Sequence, residues 1–92
     1  MTDAELDRAL RSVGMAAFVQ HMALWEGGLD AASAAGVLSD TTGWRPIACR
    51  TRVNYARAIL KAGLCRAALE RVAAAERADD AARDLARRLL RG

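Results

Sequence analysis

An all-α fold, a compact bundle of four to five helices, is what this sequence predicts, on three observations. Apolar residues recur at helical spacing along most of the chain. Alternation of β-branched with polar residues, the mark of a strand, never persists beyond a few positions. The punctuation is that of helix ends: Gly27-Gly28, Gly43 followed by Pro46, and Gly63. A chain of 92 residues supports one modest core, so residues 1–92 are read as a single helical domain.

Each element has its own signal. Thr2 and Glu5 have the spacing of a capping box, which starts a helix near Asp3. Leu6, Leu10, Val13 and Ala17 follow at helical spacing. Gly14 interrupts them at a cost of roughly 1 kcal/mol relative to Ala, so the helix is expected to kink or restart there. Met15 to Glu26 is the most apolar stretch, with Phe18, Val19, Met22 and Trp25, and is expected at the centre of the bundle. Gly27-Gly28 ends it. Asp30 is a candidate N-cap for a short helix from Ala31 to Leu38, whose small residues permit close approach of a neighbour. Ser39 to Gly43 reads as a turn by composition.

The stretch from Gly43 to Gly63 reads as a complete helix. Pro46 suits its first turn, where the missing N–H costs nothing, and Gly63 suits its end. At 100° per residue, Cys49, Val53, Ala56 and Leu60 share an apolar stripe. Arg50, Asn54, Arg57 and Lys61 share an adjacent polar one. Trp44 is expected to wedge this helix against the bundle. Short helix, turn, longer basic helix is the order of a helix-turn-helix, here spanning about residues 31–62. Beyond Gly63, residues 64–90 form one helix or two. Leu64, Ala68, Leu69 and Val72 line the first part. Asp79 or Asp80 is placed to cap a last segment holding Leu85, Leu89 and Leu90, and Asp84 is spaced to pair with Arg87 and Arg88.

Net charge is only +3, but it is unevenly spread. Residues 1–44 carry six acids and two bases, whereas residues 45–66 carry six bases (Arg45, Arg50, Arg52, Arg57, Lys61 and Arg66) and no acid. Such clustering is the footprint of an anionic partner, nucleic acid or an acidic protein surface. In the DNA reading, Arg and Asn on the polar stripe would meet base edges and Lys a phosphate.

Several function classes have no support. His21, the one histidine, lies amid apolar residues with no nucleophile or orienting acid marked by a motif. Two cysteines and one histidine lack the spacing of a zinc site, and no Gly-rich phosphate loop occurs. No enzyme activity, metal or cofactor is expected. The acidic N-terminus lacks the pattern of a signal peptide, and no apolar run reaches membrane-spanning length. A cytoplasmic protein follows as the expectation, with Cys49 and Cys65 as reduced thiols on buried helix faces.

A family likeness is carried by Ala23-Leu24-Trp25-Glu26-Gly27-Gly28-Leu29, Ala32-Ser33, Ala35, Leu38, Trp44, Arg50-Thr51-Arg52 and Ala62-Gly63 through Leu69. About half of the chain resembles a small proteobacterial helix-turn-helix-derived domain of regulators of integrative and conjugative elements. That domain forms the C-terminal part of excision activators and the stand-alone quorum-sensing antiactivator of the QseM type. Trp44 followed by Arg50 and Arg52 is the most specific part of the resemblance. It implies a helix-turn-helix shape that works by binding proteins, with a LuxR-type activator or an excision activator as partner.

Two functional expectations follow. The first is an antiactivator that occludes a transcriptional activator. The alternative is a DNA-binding repressor or excisionase-like factor. Both place partner or DNA contacts on Arg45, Arg50, Arg52, Asn54, Arg57 and Lys61, and both leave monomer or dimer open.

Overall fold

The computed structural model describes all 92 residues and is entirely helical. Seven helices run in the order α1 (Asp3–Val13), α2 (Met15–Gln20), α3 (Met22–Glu26), α4 (Ala31–Thr42), α5 (Pro46–Lys61), α6 (Cys65–Ala74) and α7 (Asp80–Arg91). They fill a volume of 30 × 27 × 23 Å. Helix α5 lies between α1 on one side and α4 on the other, with α3 against its later turns. Helices α6 and α7 form an antiparallel hairpin that covers α2. The core consists of 22 buried residues, none polar or charged, with Phe18, Leu6, Leu10, Leu38 and Ile59 its largest fully buried side chains.

The helix count exceeds four to five because the N-terminal apolar stretch is cut twice. At Gly14 the backbone turns to φ +90° and the helix restarts. At His21 (φ −113°, ψ 25°) the helix yields again. Trp25 then donates its indole N–H to the carbonyl of Phe18 at 3.0 Å, which gives a buried carbonyl at the break a partner. Phe18, Met22 and Trp25 are buried despite these interruptions, because packing rather than helix length fixes their positions.

The capping box at Thr2 and Glu5 forms with both of its hydrogen bonds. Asp30 caps α4 by accepting from the Ser33 N–H at 2.7 Å. The helix-turn-helix unit differs in one respect from the sequence expectation. Ser39 to Thr42 are not a turn but the last turn of α4. Their hydroxyls explain why. Thr41 and Thr42 donate to the carbonyls of Val37 and Leu38, four residues back, at 2.8 and 2.7 Å. Ser39 donates across the turn to the carbonyl of Trp44 at 2.7 Å. Gly43, at φ +78°, then reverses the chain in a conformation that suits a residue without Cβ. The connection is thus only Gly43-Trp44-Arg45, a length typical of helix-turn-helix units.

Helix α5 begins at Pro46 and ends before Gly63, whose successor Leu64 returns an N–H to the carbonyl of Ile59 at 3.1 Å. Its buried face holds Cys49, Val53, Ala56 and Ile59, with Leu60 half-buried beside them. After it come two helices rather than one. The chain breaks between Ala75 and Asp79, and Asp79 caps α7 by accepting from the Ala82 N–H at 2.7 Å. Arg71 fastens α6 to the start of α1 through ion pairs with Asp3 and Asp7. Asp84 pairs with Arg87 at 3.1 Å, and Arg88 forms no ion pair. Both cysteines are free, Cys49 fully buried and Cys65 half-buried beside Met22.

Candidate interaction surface

The basic segment divides into side chains turned inward and side chains left outside. Arg52 and Arg57 go inward. From the flank of α5 facing α1, the Arg52 guanidinium donates to the carbonyl of Val13, the last residue of α1. The same guanidinium lies 4.2 Å from the ring centre of Trp44, in stacking contact with the indole face. From the opposite flank, Arg57 donates to the carbonyls of Trp25 (3.3 Å), Leu24 (3.4 Å) and Gly27 (3.4 Å) at the end of α3. Helix ends leave carbonyls unpaired, and a guanidinium satisfies several at once while its charge suits the negative end of the helix dipole. Arg52 and Arg57 therefore serve as tertiary caps for α1 and α3. Arg66 similarly leans toward the carbonyl of Leu90 at 3.5 Å.

Arg45, Arg50, Asn54 and Lys61 remain exposed. Arg45 occupies the N-cap position of α5 without a side-chain cap bond, and the other three lie along one edge of the helix's outer face. None of the six bases from Arg45 to Arg66 is in an ion pair; the four ion pairs of the protein all involve Arg71, Arg83 or Arg87. Asp30 lies within the field of this edge. Its carboxyl is held below the usual range first by its hydrogen bonds to Ser33 and more weakly by the field of Arg50.

The outer face of α5 also carries apolar side chains that the sequence reading did not single out. Ile47 is 83% exposed and Tyr55 is 43% exposed. Val37, on the outer face of α4, is 45% exposed. The signal for Ile47 was present: it sits about 200° around the helix from Cys49, so burial of one sends the other outward.

Trp44, half-buried, closes the base of this surface, stacked on one side by Arg52 and met edge-on by His21 at 6.2 Å. His21 also meets Trp25 edge-on at 6.1 Å. It has the role of a packed side chain, and burial pushes its pKa below the ordinary histidine value. Chemically, the surface offers cations, an amide and apolar area on a rigid helix. No group of three or more His, Cys, Asp or Glu side chains is placed to hold a metal. No helix is long and apolar enough to cross a membrane. Comparison with protein-family models, curated proteins and solved structures gave no match, so the reading of this surface rests on the chain's own residues.

Proposed function

We propose that this protein is a small transcription-regulating antiactivator, which binds and inhibits a transcriptional activator through the exposed face of α5. The supporting observation is the make-up of that face. Ile47 and Tyr55 stand in solvent beside Arg45, Arg50 and Lys61, cations with no carboxylate partner within the chain. Exposed aromatic and aliphatic anchors beside arginine are the composition of a protein-binding patch. A surface that served only phosphates would gain nothing from Ile47. The likeness of the sequence to QseM-type antiactivators and excision activators suggests the class of partner, a LuxR-type or an excision activator. In this role the helix-turn-helix shape is a scaffold, and no catalytic step or cofactor is involved.

The test is direct binding of the purified protein to the LuxR-type activator and to the excision activator of the same genome. It is paired with a reporter driven by each activator's promoter. Binding with loss of reporter output is the expected result; no binding to either overturns the reading.

DNA binding is the second reading, favoured by the three-residue connection and by Asn54 lying between Arg50 and Lys61 on one exposed edge. With Arg52 and Arg57 engaged internally, three cations remain for phosphate contacts. Duplex binding would then show a log–log salt slope of about −2.7, measurable by fluorescence anisotropy.

A further inference from the structure

The exposed half of α5 is itself two-sided. Arg50, Asn54 and Lys61 occupy its edge toward α4 and α3, while Ile47, Thr51, Tyr55 and Ala58 occupy the centre and the edge toward α1. On that second edge the surface does not end at α5. It continues into a groove of about 250 Å³ between α1 and α5, lined by Met1, Glu5, Arg8, Ala9, Tyr55 and Ala58. Met1 and Tyr55 are both substantially exposed there.

From this continuity, we infer that the α1–α5 groove is the seat for an acidic amphipathic helix of the partner, laid alongside α5. This inference rests on the antiactivator reading and specifies how the partner is held.

Shape and charge both lead to that occupant. Ala9, Thr51 and Ala58 are small, so a third helix can approach the two existing ones closely, as helices do at interaxial distances of about 8–10 Å. Tyr55 and Met1 rise at the sides of that path and supply apolar area. Cations stand on both sides of this path, Arg8 alone among them lining the groove itself. Arg8 stands on the α1 side and Arg50 and Lys61 on the far side of α5, none of them in an ion pair. Glu5, the one acid lining the groove, is committed to the capping box, where it accepts from the Thr2 N–H at 3.1 Å. A helix with apolar residues at i, i+4 and i+7 and carboxylates on its flanks matches this pattern. A nucleic acid backbone does not, since the groove floor is apolar.

The deciding experiment measures affinity for the purified LuxR-type activator by calorimetry, with each variant's fold checked by circular dichroism. Ala58→Trp fills the groove, Arg8→Glu reverses one bank, and Ala32→Trp places the same bulk on the exposed face of α4. Ala58→Trp and Arg8→Glu should each weaken binding at least about tenfold, the scale of an interface hot spot, while Ala32→Trp leaves it unchanged. Wild-type affinity in both groove variants, with binding lost on Arg50→Glu, overturns the groove and leaves the antiactivator reading standing. Should Ala58→Trp fail to fold, unchanged affinity of Arg8→Glu alone overturns it. Absence of binding by the wild-type protein to this activator and to the excision activator alike removes the antiactivator reading and the groove with it. Salt-dependent duplex binding in that case identifies DNA as the partner.

Discussion

Arg52 reaches across from α5 to donate to the carbonyl of Val13, 39 residues earlier in the chain, while its guanidinium lies against the indole of Trp44. One side chain thereby joins the end of α1, the first turns of α5 and the connection from α4. Replacing it with Ala should destabilise the protein by about 2 kcal/mol, the combined scale of a charged hydrogen bond and a cation–π contact. Arg52→Lys should recover only part, since an ammonium cannot stack and donate in the same geometry. Urea unfolding followed at 222 nm measures both, and an unchanged midpoint in Arg52→Ala would remove the capping role.

Gly14 shares that junction. It holds φ +90°, and a Cβ built on it would come within 3.0 Å of the Arg52 guanidinium. Gly14→Ala should therefore cost about 1–3 kcal/mol through backbone strain, and the displaced Arg52 should lose its contact with Val13. The check is thermal unfolding of Gly14→Ala alone and combined with Arg52→Ala. The two effects should sum to more than the double variant loses, because the contact can be lost only once.

Arg57 and Arg50 look equivalent on a helical wheel but should behave oppositely. Arg57→Ala strips the carbonyls of Leu24, Trp25 and Gly27 of their donor and should cost about 1–2 kcal/mol. Amide exchange at the end of α3 should accelerate as well. Arg50→Ala should alter stability by no more than about 0.5 kcal/mol and instead weaken partner binding. Equal losses of stability in the two variants would contradict the division between inward and outward arginines.

His21 sets an acid limb on stability. Burial lowers its pKa in the folded protein below the ordinary 6.5, so the unfolded chain takes up its proton at higher pH than the folded one does. Stability from neutral His21 is fully present above pH 6.5 and falls as pH drops below 6.5 toward the lower folded value. Unfolding free energies measured between about pH 7.5 and 5 should decline in the wild type. In His21→Gln that decline should be largely absent, because the carboxylates titrate mainly lower. An identical slope in both proteins would assign the limb to another group.

Much of this architecture is legible locally. The Thr2–Glu5 box, the Asp30 cap, Pro46 in a first turn and the inward stripe of Cys49, Val53 and Ala56 depend on residues within a few positions of one another. Helical geometry alone fixes their relation. The all-α class and the basic central helix follow from the same short-range information. The end of α4 departs from its composition: Ser39, Thr41 and Thr42 favour turns, yet their hydroxyls bond back to the helix and across to Trp44. The candidate surface depended on longer range still. Sequence alone set the position of every arginine around α5, but which of them faced solvent was decided by α1 and α3 bringing unpaired carbonyls to Arg52 and Arg57. Helical periodicity belongs to the chain itself. A carbonyl needing a donor arises only where helices end against one another, so the tertiary structure chose which cations remain free to meet a partner.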